Sequence, residues 1–283
     1  MALTPIARFG RMEILARKDS LFSFYSSPYP AHRETKALDL TSGGERYDDM
    51  YSPVSGEIIA IKKIPKPEFS KNLDDEYVTA ILPEGSDHAL KIIHLEPSLE
   101  VGDYVEAGER LGKLIRTEFF WKFNDPGIHM EIRKRDDLFR TGGGMRFEPV
   151  LDPIEGETEL TGKVTKRAEH YSIIEFPGSG MAGDITGLTC NVDSKNAFLD
   201  CTYPYVDYGG VVGASNGTVS LNGTDIGTAT DGIIRYSSFE FHVNDTKTDC
   251  ISAVLSLRKR AELKVIPAIL RKGDKVDIEV RKS

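Results

Sequence analysis

Residues Pro126–Arg133 alternate between apolar and polar along an extended chain. Ile128, Met130 and Ile132 fall on one side, and His129, Glu131 and Arg133 on the other. This pattern predicts a half-buried strand entered through a turn at Pro126-Gly127. Shorter runs of the same kind cover Ala37–Thr41, Glu57–Lys62, Tyr77–Leu82 and Ala89–Leu95, with glycines at 102, 108 and 112 marking changes of direction. Past the acidic, proline-bearing stretch Pro149–Glu157, strands are expected at Gly162–Thr165, Tyr171–Glu175, Gly187–Val192 and Ala197–Tyr203. They continue at Gly217–Leu221, Gly232–Tyr236, Phe239–Val243, Ile251–Leu257, Leu263–Pro267 and Lys275–Val280. Helical periodicity is scarce. The expectation is a mainly β protein of two domains, 1–148 and 149–283, the second an all-β sandwich or small barrel.

The length of 283 residues agrees with two cores rather than one. A formal charge of -8 argues against non-specific nucleic-acid binding, which runs on positive charge. No window approaches the roughly 20 apolar residues of a membrane span. Charges at Arg8, Arg11, Glu13 and Arg17 interrupt any apolar core near the start, so a cytoplasmic location is expected. Three cysteines without a Cys-x-x-Cys pair are expected to be reduced and packed. The Asn-Gly pairs at 216 and 222 are expected as hairpin turns.

Candidate chemistry gathers around the strand at 128–133. His32 follows an irregular segment with Pro28 and Pro30, Asp39 sits between two leucines, and His94 lies between Ile93 and Leu95. Aspartate disfavours strand interiors and wants a partner when buried. His32 fits a surface loop as well as a ligand position, and His94 fits a satisfied core histidine as well as an acid or base. The Phe119–Phe123 cluster suits core packing or a groove wall.

Tyr51-Ser-Pro-Val-Ser-Gly-Glu-Ile and Val101-Gly-Asp-Tyr-Val-Glu-Ala-Gly-Glu-Arg-Leu-Gly112 resemble the repeated strand-entry segments of duplicated hybrid barrels. Leu38-Asp39-Leu40, Ile92-Ile-His94-Leu95 and Gly127-Ile-His129-Met-Glu131-Ile-Arg133 resemble three motifs of the lysostaphin-type (LytM-type) zinc metallopeptidases, in the same order along the chain. The resemblance covers about residues 26–135 and implies a duplicated hybrid motif β-barrel or sandwich for the first domain. It further implies zinc held by Asp39, His129 and a further histidine, a peptide or carbohydrate-linked ligand, and amide hydrolysis assisted by His94. The further histidine normally stands four residues before the aspartate, where this chain has Thr35. His32 takes the role only if the backbone leaves a straight strand between 32 and 39, because an odd spacing places the two on opposite faces. The first histidine of the family's His-x-His is Gly127 here. Glu131 would assist as a partner of His129 or be an ordinary surface carboxylate. A carrier domain would need a Met-Lys-Met hairpin tip, which does not occur, and the glucose-permease IIA pattern around His94 is incomplete. Two readings follow: a divergent zinc-dependent peptidase or amidase, and a non-catalytic binding or scaffold protein that keeps the barrel without a working metal site.

Overall fold

The computed structural model describes residues 2–70, 72–140 and 142–282. It is nearly all β, with 51 % of residues in strands and 1 % in helix. By internal contacts the chain divides into two units. One is the chain up to Phe22 with Glu34–Val150, and the other is Ser23–Arg33 with the chain from Leu151 onward. Among the described residues no helix is long and apolar enough to cross a membrane.

In the first unit six strands lie side by side in the order Tyr104–Val105, Gly56–Ile64, Glu76–Leu82, His88–Ile93, Ile128–Lys134 and Leu38–Thr41. Every pairing among them is antiparallel. The strand at 128–134 therefore has a neighbour on each side, with His129 opposite Ile93 on one and Asp39 on the other. This register fixes which polar side chains can meet. The expectation of a half-buried strand needs correcting, since every side chain from Ile128 to Arg133 is buried. Its apolar residues pack on the core, and its polar face is covered by charged partners. A sheet of Asp49–Tyr51, Arg110–Leu114 and Leu95–Pro97 and another of Glu148–Pro149, Leu3–Phe9 and Met12–Arg17 complete the unit. Of the glycine-rich run Arg140-Thr-Gly-Gly-Gly-Met145, residue 141 lies outside the described residues.

In the second unit six strands close a ring. Thr189–Val192 pairs with Gly217–Leu221, then Thr224–Thr230, Ile233–Tyr236, Tyr208–Val212 and Lys195–Tyr203, which returns to Thr189–Val192. Full closure leaves no unpaired edge within the ring. Its interior is filled by residues such as Leu188, Leu199, Val211, Val219, Ile226 and Ile234. Asn222 and Gly223 take φ of 49° and 77° between two adjacent strands, the left-handed pair a tight hairpin turn requires. Asn216 departs from the expectation, because it does not turn a two-residue hairpin. Its side-chain oxygen accepts the backbone N–H of Asp231. Cys190, Cys201 and Cys250 are buried free thiols. Burial pushes all three pKa values up, to about 12 for Cys201 and Cys250.

Candidate metal centre

The centre is built on the register of the 128–134 strand. Direct opposition of His129 and Asp39 across an antiparallel pair brings the His129 Nδ1 to 2.8 Å from Asp39 Oδ1. Two residues on, the same face carries Glu131, whose Oε1 lies 3.4 Å from His129 Nε2. The imidazole is thus flanked by carboxylates at both nitrogens. Burial opposes its charge, yet the hydrogen bonds to Asp39 and Glu131 outweigh burial and raise its pKa to about 9. Asp39 keeps 40 % of its side chain exposed, so this is where the cluster opens to solvent.

Glu131 is the hub. Lys91 Nζ approaches its Oε1 at 3.4 Å, and Arg133 Nε approaches its Oε2 at 3.2 Å. The second approach is close but poorly aligned, and neither atom gains a proper hydrogen bond from it. It is an ion pair by distance alone. Burial opposes the ionisation of Glu131, but the His129 hydrogen bond and the Lys91 charge lower its pKa to about 2. Burial lowers the pKa of Lys91, and Glu131 offsets part of that. The guanidinium of Arg133, fully enclosed, donates to the carbonyls of Arg140 and Gly142. Glu131 is therefore no ordinary surface carboxylate.

His94 approaches from a break in its strand. The run expected as Ala89–Leu95 is two strands, His88–Ile93 and Leu95–Pro97, with His94 between them at φ 69°. A left-handed conformation is uncommon for a residue with a side chain and marks a site held in place by its surroundings. Glu76 does the holding. Its Oε1 accepts the His94 backbone N–H at 2.7 Å, and its Oε2 lies 2.5 Å from His94 Nδ1. Because a carboxylate only accepts, Nδ1 carries the proton and Nε2 keeps the lone pair in the neutral ring. Burial resists the charge on Glu76, but the His94 hydrogen bonds prevail and its pKa is lowered. Phe120 and Phe119 pack on the imidazole with centroids 4.8 and 5.8 Å away, and the His129 ring lies at 6.3 Å. The aromatic run thus serves as wall to His94. The chain itself hints at Glu76 only by an acidic run, Asp74-Asp75-Glu76, at a strand entry.

His32 is buried on the short helix Pro30–Arg33, whose first residue is a proline, a favoured helix-opening residue. Its Nδ1 lies 2.8 Å from the Phe24 carbonyl oxygen and donates to it, which leaves Nε2 as the lone-pair nitrogen. Between His32 and the strand at Leu38–Thr41 the backbone turns through Thr35 at φ 56°. The spacing of seven residues is therefore not strand spacing. Within the first unit the structure brings Asp39 and His129 together. An imidazole and a carboxylate are both donors that zinc accepts, and a further imidazole would complete a usual set. With zinc on the Asp39 side of the ring, the Nε2–H of His129 would donate to Glu131, the usual outer partner of a ligating histidine.

Gly127 has a local reason. A Cβ there would lie 2.8 Å from the Leu40 carbonyl oxygen and 3.0 Å from Thr41 Cβ. The neighbouring strand leaves no room for a side chain, so no histidine fits without a backbone shift.

Residues 11–149 match the family model described as Domain of unknown function (DUF8155) N-terminal domain, and residues 155–281 match the corresponding C-terminal domain. His32, Asp39, His94 and His129 all fall within the first match. No solved structure matches the chain.

Proposed function

We propose, for a chain that belongs to the DUF8155 family and carries both of its domains in order, a zinc-dependent hydrolase of amide bonds in a peptide or carbohydrate-linked substrate. Its ligands are His32, Asp39 and His129. The observation that carries the reading is the meeting of Asp39 and His129 on adjacent strands beside a second, separately oriented histidine, His94. Zinc held there supplies Lewis-acid polarisation of the reacting carbonyl. Everything else falls to the chain. Glu131 fixes the ring of His129. Glu76 holds the Nδ1 proton of His94, so that Nε2 is the atom that accepts a proton and later returns it to the leaving amine. Phe119 and Phe120 exclude water from the far side of that ring.

A metal-free binding protein is the second reading. It is favoured by the pairing of His129 with two carboxylates, which satisfies an imidazolium without any ion, and by Gly127 in place of a histidine. Elemental analysis of the purified full chain separates the two. The hydrolase reading expects near-stoichiometric zinc, lost in His129→Ala and in the more exposed Asp39→Ala. It also expects amide turnover that falls about a hundredfold or more in His94→Ala while zinc is kept. A parent chain that takes up no zinc even when it is supplied leaves the binding protein as the answer.

A further inference from the structure

Away from the histidines, a cavity of about 330 Å³ opens in the first unit beside the strand Met12–Arg17. Strand alternation separates it from the metal centre, since Leu40 lines the cavity and its neighbour Asp39 faces the other way. The inner wall is apolar, formed by Leu3, Leu15, Ala16, Leu40 and Met50. One charge stands on that wall. Arg17, directly across the strand pair from Leu3, lays its guanidinium over the Tyr51 ring at 3.9 Å. Its Nε is shut off from solvent and has no hydrogen-bond partner. Among the described residues no carboxylate pairs with it.

The acids of the cavity lie elsewhere. Asp19, Asp48 and Asp49 are exposed at its rim. Asp49 is engaged by Arg110 at 2.7 Å, and Asp48 accepts the backbone N–H of Glu45 at 2.7 Å. A half-buried cation without an anion, oriented by stacking on an aromatic face, is poised for a planar acceptor. A rim of negative charge disfavours a dianion but admits a single charge. The apolar wall asks for a hydrocarbon group next to that charge, and the size suits a small ligand.

We propose that this cavity binds a monocarboxylate bearing an apolar group, with the carboxylate paired to Arg17 and the apolar group on Leu15 and Met50. A free acid and the C-terminus of a peptide ending in an apolar residue share that chemistry. Ligand titration of the isotope-labelled full chain by NMR tests it, with hexanoate, N-acetyl-leucine and N-acetyl-leucinamide as probes. N-acetyl-leucine shifts the amide signals of residues 15–20 and 49–52, and N-acetyl-leucinamide does not. Binding of both acids identifies a general acid site, and binding of N-acetyl-leucine alone identifies a peptide terminus. Arg17→Met, which keeps the stem over Tyr51, weakens the acid by about tenfold or more. Equal binding of acid and amide to the parent chain overturns the proposal, as does the absence of these shifts at millimolar acid. The acid-to-amide comparison holds even where the variant fails to fold.

Discussion

The two units bury different things. The first encloses Glu76, Lys91, His94, His129, Glu131 and Arg133, six ionisable side chains on three adjacent strands or their ends. In the unit that contains the closed ring, the enclosed acids and bases among the described residues are His32 and Asp200, and the other buried polar groups are neutral hydroxyls and the three thiols. Buried charge costs several kcal/mol per ion unless it is paired, and a hydrophobic replacement is often as stable. A fold that needs only stability has no use for the first arrangement, as the ring of the second unit demonstrates with nearly the same strand chemistry. Concentrated, mutually paired charge in the first unit therefore points to chemistry rather than to packing.

The sharpest way to break that contrast is to remove the hub. Glu131→Gln leaves Lys91, His129 and Arg133 enclosed with their shared anion gone. A loss on the order of 3–5 kcal/mol is expected from chemical denaturation. A loss below about 1 kcal/mol would mean that the network contributes little and that water already reaches it.

Asp200 gives the converse test in the second unit. Burial raises its pKa from 3.8 to about 6, against the hydrogen bonds it accepts from Ser23 and the backbone N–H groups of Phe24 and Tyr25. For an acid shifted upward, both states hold the proton below pH 3.8 and nothing is lost. As pH rises toward about 6 the unfolded chain ionises first, and stability falls. Above that the loss is complete, at about 3 kcal/mol. Urea unfolding at pH 4 and pH 7 should show the parent declining by most of that amount, about 2–2.5 kcal/mol, relative to Asp200→Asn. A pH-independent difference would place the folded-state pKa at its ordinary value.

The smallest effect is expected at Gly127. Gly127→Ala pushes a methyl against the backbone of Leu40 and should cost about 1–3 kcal/mol by the same unfolding measurement. Gly127→His should cost at least as much and add no activity. A stable, more active histidine variant would show that the strand gap opens readily.

Alternation revealed most of the strands, because side chains on opposite faces of a strand repeat every two residues whatever the tertiary context. It also placed His129 and Glu131 on one face. Several features escaped it, among them the strands Leu3–Phe9 and Thr224–Thr230. The break at His94 is a single left-handed residue, to which periodicity is blind. The strand Tyr208–Val212 is buried throughout and contains Gly209-Gly210, a pair that signals a turn. There the glycine is needed because a Cβ on Gly210 would sit 1.9 Å from the Tyr25 ring. Glu76 meets His94 only through folding, and no spacing in the chain links residues 76 and 94. His32 was legible as a residue type, while its geometry depended on a helix of four residues that is too short to leave a pattern.

The three thiols have a practical consequence. All lie in the second unit, enclosed, with their ionisation displaced far above neutral pH. Only a thiolate alkylates readily, so the folded chain should ignore iodoacetamide at neutral pH. Each modification then records one opening of the second unit. Mass spectrometry of timed alkylation would clock that opening with no added label, while the cysteine-free first unit stays silent.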